Sequence, residues 1–128
     1  MASTPAGLKE RTKRFALRII AMANALPHST AGQVIARQVL RAGTSVAANY
    51  RAACRARSHA EFVAKLGVVE EEADETLFSL ELIVAASMLP AKRLQPLLDE
   101  TYQLTAIFVA SRKTSKRGNR QSAIGNRK

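Results

Sequence analysis

This chain predicts an all-α fold, an antiparallel up-and-down four-helix bundle, and three observations predict it. Apolar residues fill 47% of the 128 positions, yet aromatics supply only 5%, there is no Trp, and Ala and Leu dominate. That composition suits packed helices rather than sheets. Apolar residues recur at steps of three, four and seven, the spacing of one helix face. Pro27, the Arg57-Ser58 corner and Pro90 divide the pattern into four segments. Short connections between long amphipathic helices favour antiparallel neighbours. One domain with one core is expected over residues 1–111.

The first helix is expected near Leu8–Leu26, with Leu8, Phe15, Ile19, Met22 and Leu26 inward. The second, near Thr30–Arg55, turns Ile35, Val39, Val46, Tyr50 and Cys54 to the core. Gly43, Ala47 and Ala53 keep that face small, so a neighbouring helix can approach closely. The third starts at Ser58, whose spacing to Glu61 matches a capping box, and runs to about Met88 through Phe62, Leu66, Val69, Ala73, Leu77, Leu80 and Val84. The fourth, about Ala91–Arg112, uses Leu94, Leu97, Leu98, Thr101, Leu104, Thr105 and Phe108. After Ser111 the chain carries seven basic residues and no acid, and GNR occurs twice. Residues 112–128 are therefore expected to form a basic, disordered tail. Of the formal net charge of +10, the tail accounts for seven, leaving three on the bundle.

Two helices are apolar on more than one side. Val68, Phe78 and Leu82 lie roughly opposite the inward face of the third helix, and Leu17 and Ile20 lie off the inward stripe of the first, at about 100° per residue. Apolar patches of this kind mark contacts, here with further copies of the chain. These five residues form the expected oligomer interface.

Polar residues carry a weaker message. From Arg11 to Ala60 there is no acidic residue, and Arg37, Arg41, Arg51 and Arg55 share one arc of the second helix. Such a row can follow the phosphates of RNA or DNA, without sequence preference, since no aromatic residues are interleaved to stack on bases. The opposing reading pairs these arginines with the acids of Glu70–Glu75 on the third helix. Glu70 and Asn49 sit at the edges of their apolar faces and are expected to be partly buried, with Arg57 as a candidate partner.

No catalytic constellation is present. His28 and His59 have no second ligand at helical metal spacing, and the chain contains no Glu-x-x-His pair, Cys-x-x-Cys, His-Glu-x-x-His or glycine-rich phosphate loop. The expectation is a non-enzyme without cofactor or metal. Cys54 cannot form an internal disulfide, which suits a reducing compartment. The N-terminal region reads as a core helix rather than a secretory signal, and no apolar run approaches the length of a membrane span. A cytoplasmic protein with no membrane contact is expected.

The stretch GTSVAANYRAACRARSHAEFVAKLGVVEEEADETLFSLEL, Gly43–Leu82, resembles the four-helix bundle family that includes proteins encoded in intervening sequences of 23S ribosomal RNA genes. The Ala-Arg-Ser-x-Ala-Glu-Phe corner and the EEADE run are similar to one branch of it. Ala48–Ala53 departs from the more usual Ala-Asn-Ile-Ala-Glu-Gly, so any role of that Glu-Gly pair does not carry over. Ser79 also stands where that branch tends to have tryptophan. The resemblance implies a ring of five subunits, a homopentamer, in which two different patches meet around the rotation axis. It also implies an architecture similar to the accessory variability proteins of retroelements, basic pentamers that bind nucleic acid and a reverse transcriptase.

Overall fold

The computed structural model describes the backbone of residues 4–125 and side chains as far as Gly118. Four helices follow in order: α1 Pro5–Asn24, α2 Thr30–Cys54, α3 His59–Ala85 and α4 Ala91–Gly125. Each of the first three begins with a hydroxyl that takes up an otherwise orphaned backbone donor. The Thr4 hydroxyl accepts from the Gly7 N–H at 3.0 Å, Ser29 from Gly32 at 3.1 Å, and Ser58 from Glu61 at 3.1 Å. The capping box at Ser58 is only half the expected one. The Glu61 carboxylate accepts from the Arg57 N–H at 3.3 Å, one residue outside the cap.

α3 ends three residues before the expected Met88, and its ending is specific. Ser87 has φ 56°, in the left-handed region, while its N–H donates to the Val84 carbonyl and that of Met88 to Ile83, each at 3.0 Å. This pair of bonds is a Schellman motif built on serine rather than glycine. α4 departs further from expectation. It does not stop near Arg112 but continues through Gly125, over positions expected to be disordered. No proline follows Pro96, Gly125 falls at the helix end, and the one interior glycine, Gly118, costs the helix only about 1 kcal/mol relative to alanine. Side-chain anchors also hold its extension, as described below.

α1 packs on α2, α2 on α3, α3 on α4, and α4 returns more loosely to α1; the α1 and α3 backbones stand on a diagonal, apart from one another, and meet only through core side chains. Phe15, Ile19, Val39, Val46, Leu66, Leu80, Ile83, Leu94, Leu104 and Phe108 are fully buried between the four. Thr12, Thr76 and Thr101 are buried too, each hydroxyl donating to the carbonyl one turn earlier, so these polar residues are satisfied without leaving their helices. The Tyr50 and Phe108 rings meet at 5.7 Å between centroids and tie α2 to α4 across the other diagonal. At the loose α1–α4 seam Arg11 closes the ring. Its Nε donates to Glu100 Oε2 at 2.8 Å and its Nη2 to Oε1 at 2.6 Å and to Gln103 Oε1 at 3.0 Å.

Candidate nucleic-acid interface

The arginine arc of α2 is divided by the two helices that flank it. Arg41 and Arg51 stand ten residues apart, about 80° around the axis, so one leans towards α3 and the other towards α1. Arg41 is engaged there: its Nη2 lies 2.7 Å from Glu75 Oε2 and its Nη1 3.5 Å from Glu72 Oε2. These carboxylates, Glu75 first through its hydrogen bond, raise the guanidinium pKa further. Among the described residues Glu72 Oε2 is buried without a hydrogen bond, and its one ionic partner is Arg41. The expected pairing of arginine with the EEADE run therefore holds for Arg41.

Arg37, Arg51 and Arg55 are exposed, and none has a carboxylate within 4 Å among the described residues. Arg51 and Arg55 line an open groove of about 580 Å³ between α1 and α2. Ala47 and Ala48 floor it, and Lys9 and Lys13 of α1 face the two arginines. Glu10 is the one acid on its wall. Lys9 and Lys13, like Arg51 and Arg55, stand one helical turn apart, so two basic pairs face one another across small side chains. Reading the α2 arc by itself misses Lys9 and Lys13. Their spacing is visible in the sequence, but only the register of α1 on α2 brings them to the arginines.

Asn49, Glu70 and Arg57 do not come together. Asn49 Nδ2 donates within its own helix, to the Ser45 carbonyl at 2.9 Å, and Arg57 is exposed at the corner. Glu70 takes Arg112 instead, at 2.5 Å from the guanidinium Nε, a partner from the segment expected to be disordered. That hydrogen bond, with the charge of Glu70 and more distantly of Glu71, raises the Arg112 pKa. His59 Nε2 lies 2.7 Å from the Ser115 carbonyl, a second tie between α3 and the extension of α4.

Of the expected interface residues, Phe78 and Leu17 are the most open, at 61% and 56% exposure, with Ile20 and Val68 also exposed. Leu82 is half-buried, because it stands nearer the edge of the inward stripe than Phe78 does. Val34, Leu40 and Tyr102 are exposed apolar residues that sequence reading did not single out. Cys54 is half-buried beside Tyr50, whose hydroxyl pKa is pushed up first by burial and then by the neighbouring thiol. Among the described residues no group of three His, Cys, Asp or Glu converges as a metal site, and no helix is long and apolar enough to cross a membrane.

These features define an up-and-down four-helix bundle with a basic groove on one side and an acidic helix on the other. The chain belongs to the 23S rRNA-intervening sequence protein family, whose profile matches residues 8–110. It is similar to a crystal structure of a protein of unknown function from the S23 ribosomal protein family of Bacteroides thetaiotaomicron. The two share 28% identity and superpose with a TM-score of 0.79, over 85% of this chain and 97% of that one. None of the curated proteins matches the chain.

Proposed function

We propose that this chain is a non-enzymatic, cytoplasmic, self-associating helical bundle, the homopentamer that its likeness implies, which contacts RNA or DNA through the phosphate backbone. The groove between α1 and α2 carries this reading: Lys9, Lys13, Arg51 and Arg55 converge there against one acid, Glu10. Lysine and arginine arranged this way bind phosphate by charge and by forked hydrogen bonds, with no provision for reading base edges. Repetition around a ring would multiply weak contacts. The stripe is accordingly not the whole α2 arc but its α1-facing half, with Arg37 beside it.

The test is binding of a mixed-sequence oligonucleotide over a range of salt. Replacing Lys9, Arg51 and Arg55 with Ser should weaken binding and flatten the log–log salt dependence by about 0.7–0.9 per lost phosphate contact. A slope unchanged by all three substitutions would sink the proposal. The same measurement on a variant with Lys113, Lys116 and Arg117 replaced separates the groove from the basic end of α4.

One observation favours a second reading, a structural or protein-partner scaffold: Arg41 is held by Glu72 and Glu75. On that reading, replacing Arg37, Arg51 and Arg55 as well as Arg41 weakens assembly or stability and leaves oligonucleotide affinity untouched.

A further inference from the structure

At the end of the bundle where α1 and α3 begin, α2 ends and α4 runs on, the four helices leave an open pocket of about 360 Å³. Leu8, Tyr50 and Leu66, all buried, form its floor, and the half-buried Phe62 forms one wall. The His59 ring lies 6.4 Å from that of Phe62. The α4 wall is polar, lined by Ser111, Thr114 and Ser115. Thr12, Thr76, Thr101 and Thr105 donate their hydroxyl protons to carbonyls of their own helices. The hydroxyls of Ser111, Thr114 and Ser115 make no hydrogen bond among the described residues. An apolar, partly aromatic cavity with a few convergent polar groups has the make-up of a small-ligand site.

The pocket shares its walls with the basic groove. Pro5 lines the pocket and Ala6 the groove; Tyr50 lines the pocket and Arg51 the groove. Consecutive residues of two helices thus face the two cavities, which lie about one helix diameter apart, roughly 10 Å. We propose that the pocket receives one base of a single-stranded nucleic acid whose phosphates lie in the groove. The base stacks on Phe62 above the Tyr50 floor, with its polar edge towards the hydroxyls of Ser111, Thr114 and Ser115. This deepens the proposed function, on which it rests, by naming the substrate class: an unpaired strand, since a duplex keeps its bases stacked inside. Charge selects the occupant. Arg51 and Arg55 stand on one side of the pocket, and the exposed Lys113 and Arg117 flank Thr114 on α4, so a ring that carries phosphate is the one drawn here. The aromatic surface that the arginine arc lacks comes from the adjoining face of α2 and from α3. Stacking accepts any base, because every base has a π-face, so the pocket adds affinity without sequence preference.

The test titrates the full-length chain with three labelled probes: a single-stranded DNA of mixed sequence, an abasic strand of equal length that keeps every phosphate, and a duplex of the same sequence. The wild-type chain should bind the base-bearing strand roughly 5- to 150-fold more tightly than the abasic one, the range that one stacked base gives. Ser111→Leu with Thr114→Leu fills the pocket from α4 and should bring the base-bearing strand down to the abasic level. Binding of the abasic strand, binding of the duplex and the salt slope should not change. Phe62→Leu keeps an apolar wall but removes the ring, and should lower the preference for bases in the same direction. Helical circular dichroism with a cooperative melt verifies that both variants fold. If the wild-type chain binds base-bearing and abasic strands alike, the pocket assignment is wrong and the groove still stands. A preference that survives filling the pocket overturns it as well. So does an equal loss for both strands, which would lay the phosphates rather than a base across the pocket. Failure to bind any probe would remove the nucleic-acid reading, and the pocket with it.

Discussion

Gly43 of α2 lies against Ile19 of α1 so closely that a β-carbon on Gly43 would stand 2.8 Å from both Cγ1 and Cγ2 of Ile19. Ile19 is fully buried, so it has no solvent to retreat into. Gly43→Ala should therefore destabilise the bundle by about 1–3 kcal/mol, the usual cost of overpacking, although alanine is the better helix former. Ile19→Val or Ile19→Ala frees part of the space. The double variants should lose less stability than the two single changes added together, a coupling that denaturant melts measure directly. Strict additivity would mean that α1 and α2 part to admit the methyl group.

Ser87 marks a position where the chain departs from its best local choice. Its φ of 56° suits glycine, and both bonds of the Schellman motif depend on that backbone turn. Ser87→Gly should raise stability by up to about 1 kcal/mol, relief of left-handed strain exceeding the added freedom of the unfolded chain. A thermal melt that moves downward would contradict this.

Tyr50 predicts an alkaline limit. Burial, and then the adjoining Cys54, raises the pKa of its hydroxyl in the folded state. A group whose folded pKa is raised stabilises the fold fully below its unfolded pKa, near 10 for tyrosine. That contribution is lost as pH climbs beyond about 10, because ionisation is easier in the unfolded chain. Stability measured from pH 8 to 11 should fall at the upper end, and Tyr50→Phe should fall less steeply. Parallel profiles for the two proteins would refute the assignment.

Glu70 and Arg112 should act as a unit. The pair joins α3 to the part of α4 beyond Ser111, with the His59 contact to the Ser115 carbonyl close by. Glu70→Ala and Arg112→Ala should each speed amide exchange over residues 112–118, and the double variant should exchange little faster than either. Exchange unaffected by both changes would mean that the helix extends without this anchor.

The fold was legible because its signals are local and mutually consistent. Apolar spacing set the inward faces, Thr4, Ser29 and Ser58 supply real caps, and Pro27 and Pro90 fall in the connections. Phe78 and Leu17 were legible for the same reason, each lying opposite its own stripe. What failed to show depends on contacts between distant segments. Glu70 finds Arg112 from a segment whose glycines and GNR repeat speak against helix, and tertiary anchoring overrides that weak preference. The division of the arginine arc was likewise hidden, since Arg41 and Arg51 differ only in which neighbouring helix they lean towards.

The most direct measurement is ultraviolet cross-linking of the full-length chain to a short single-stranded RNA of mixed sequence, with the adducts located by peptide mass spectrometry. Adducts on the α1 peptides containing Lys9 and Lys13 and on the α2 peptides containing Arg51 and Arg55, competed away by salt, are the predicted result. Adducts confined to the basic end of α4, or centred on Arg41 and the acidic side of α3, would contradict the groove as the nucleic-acid surface.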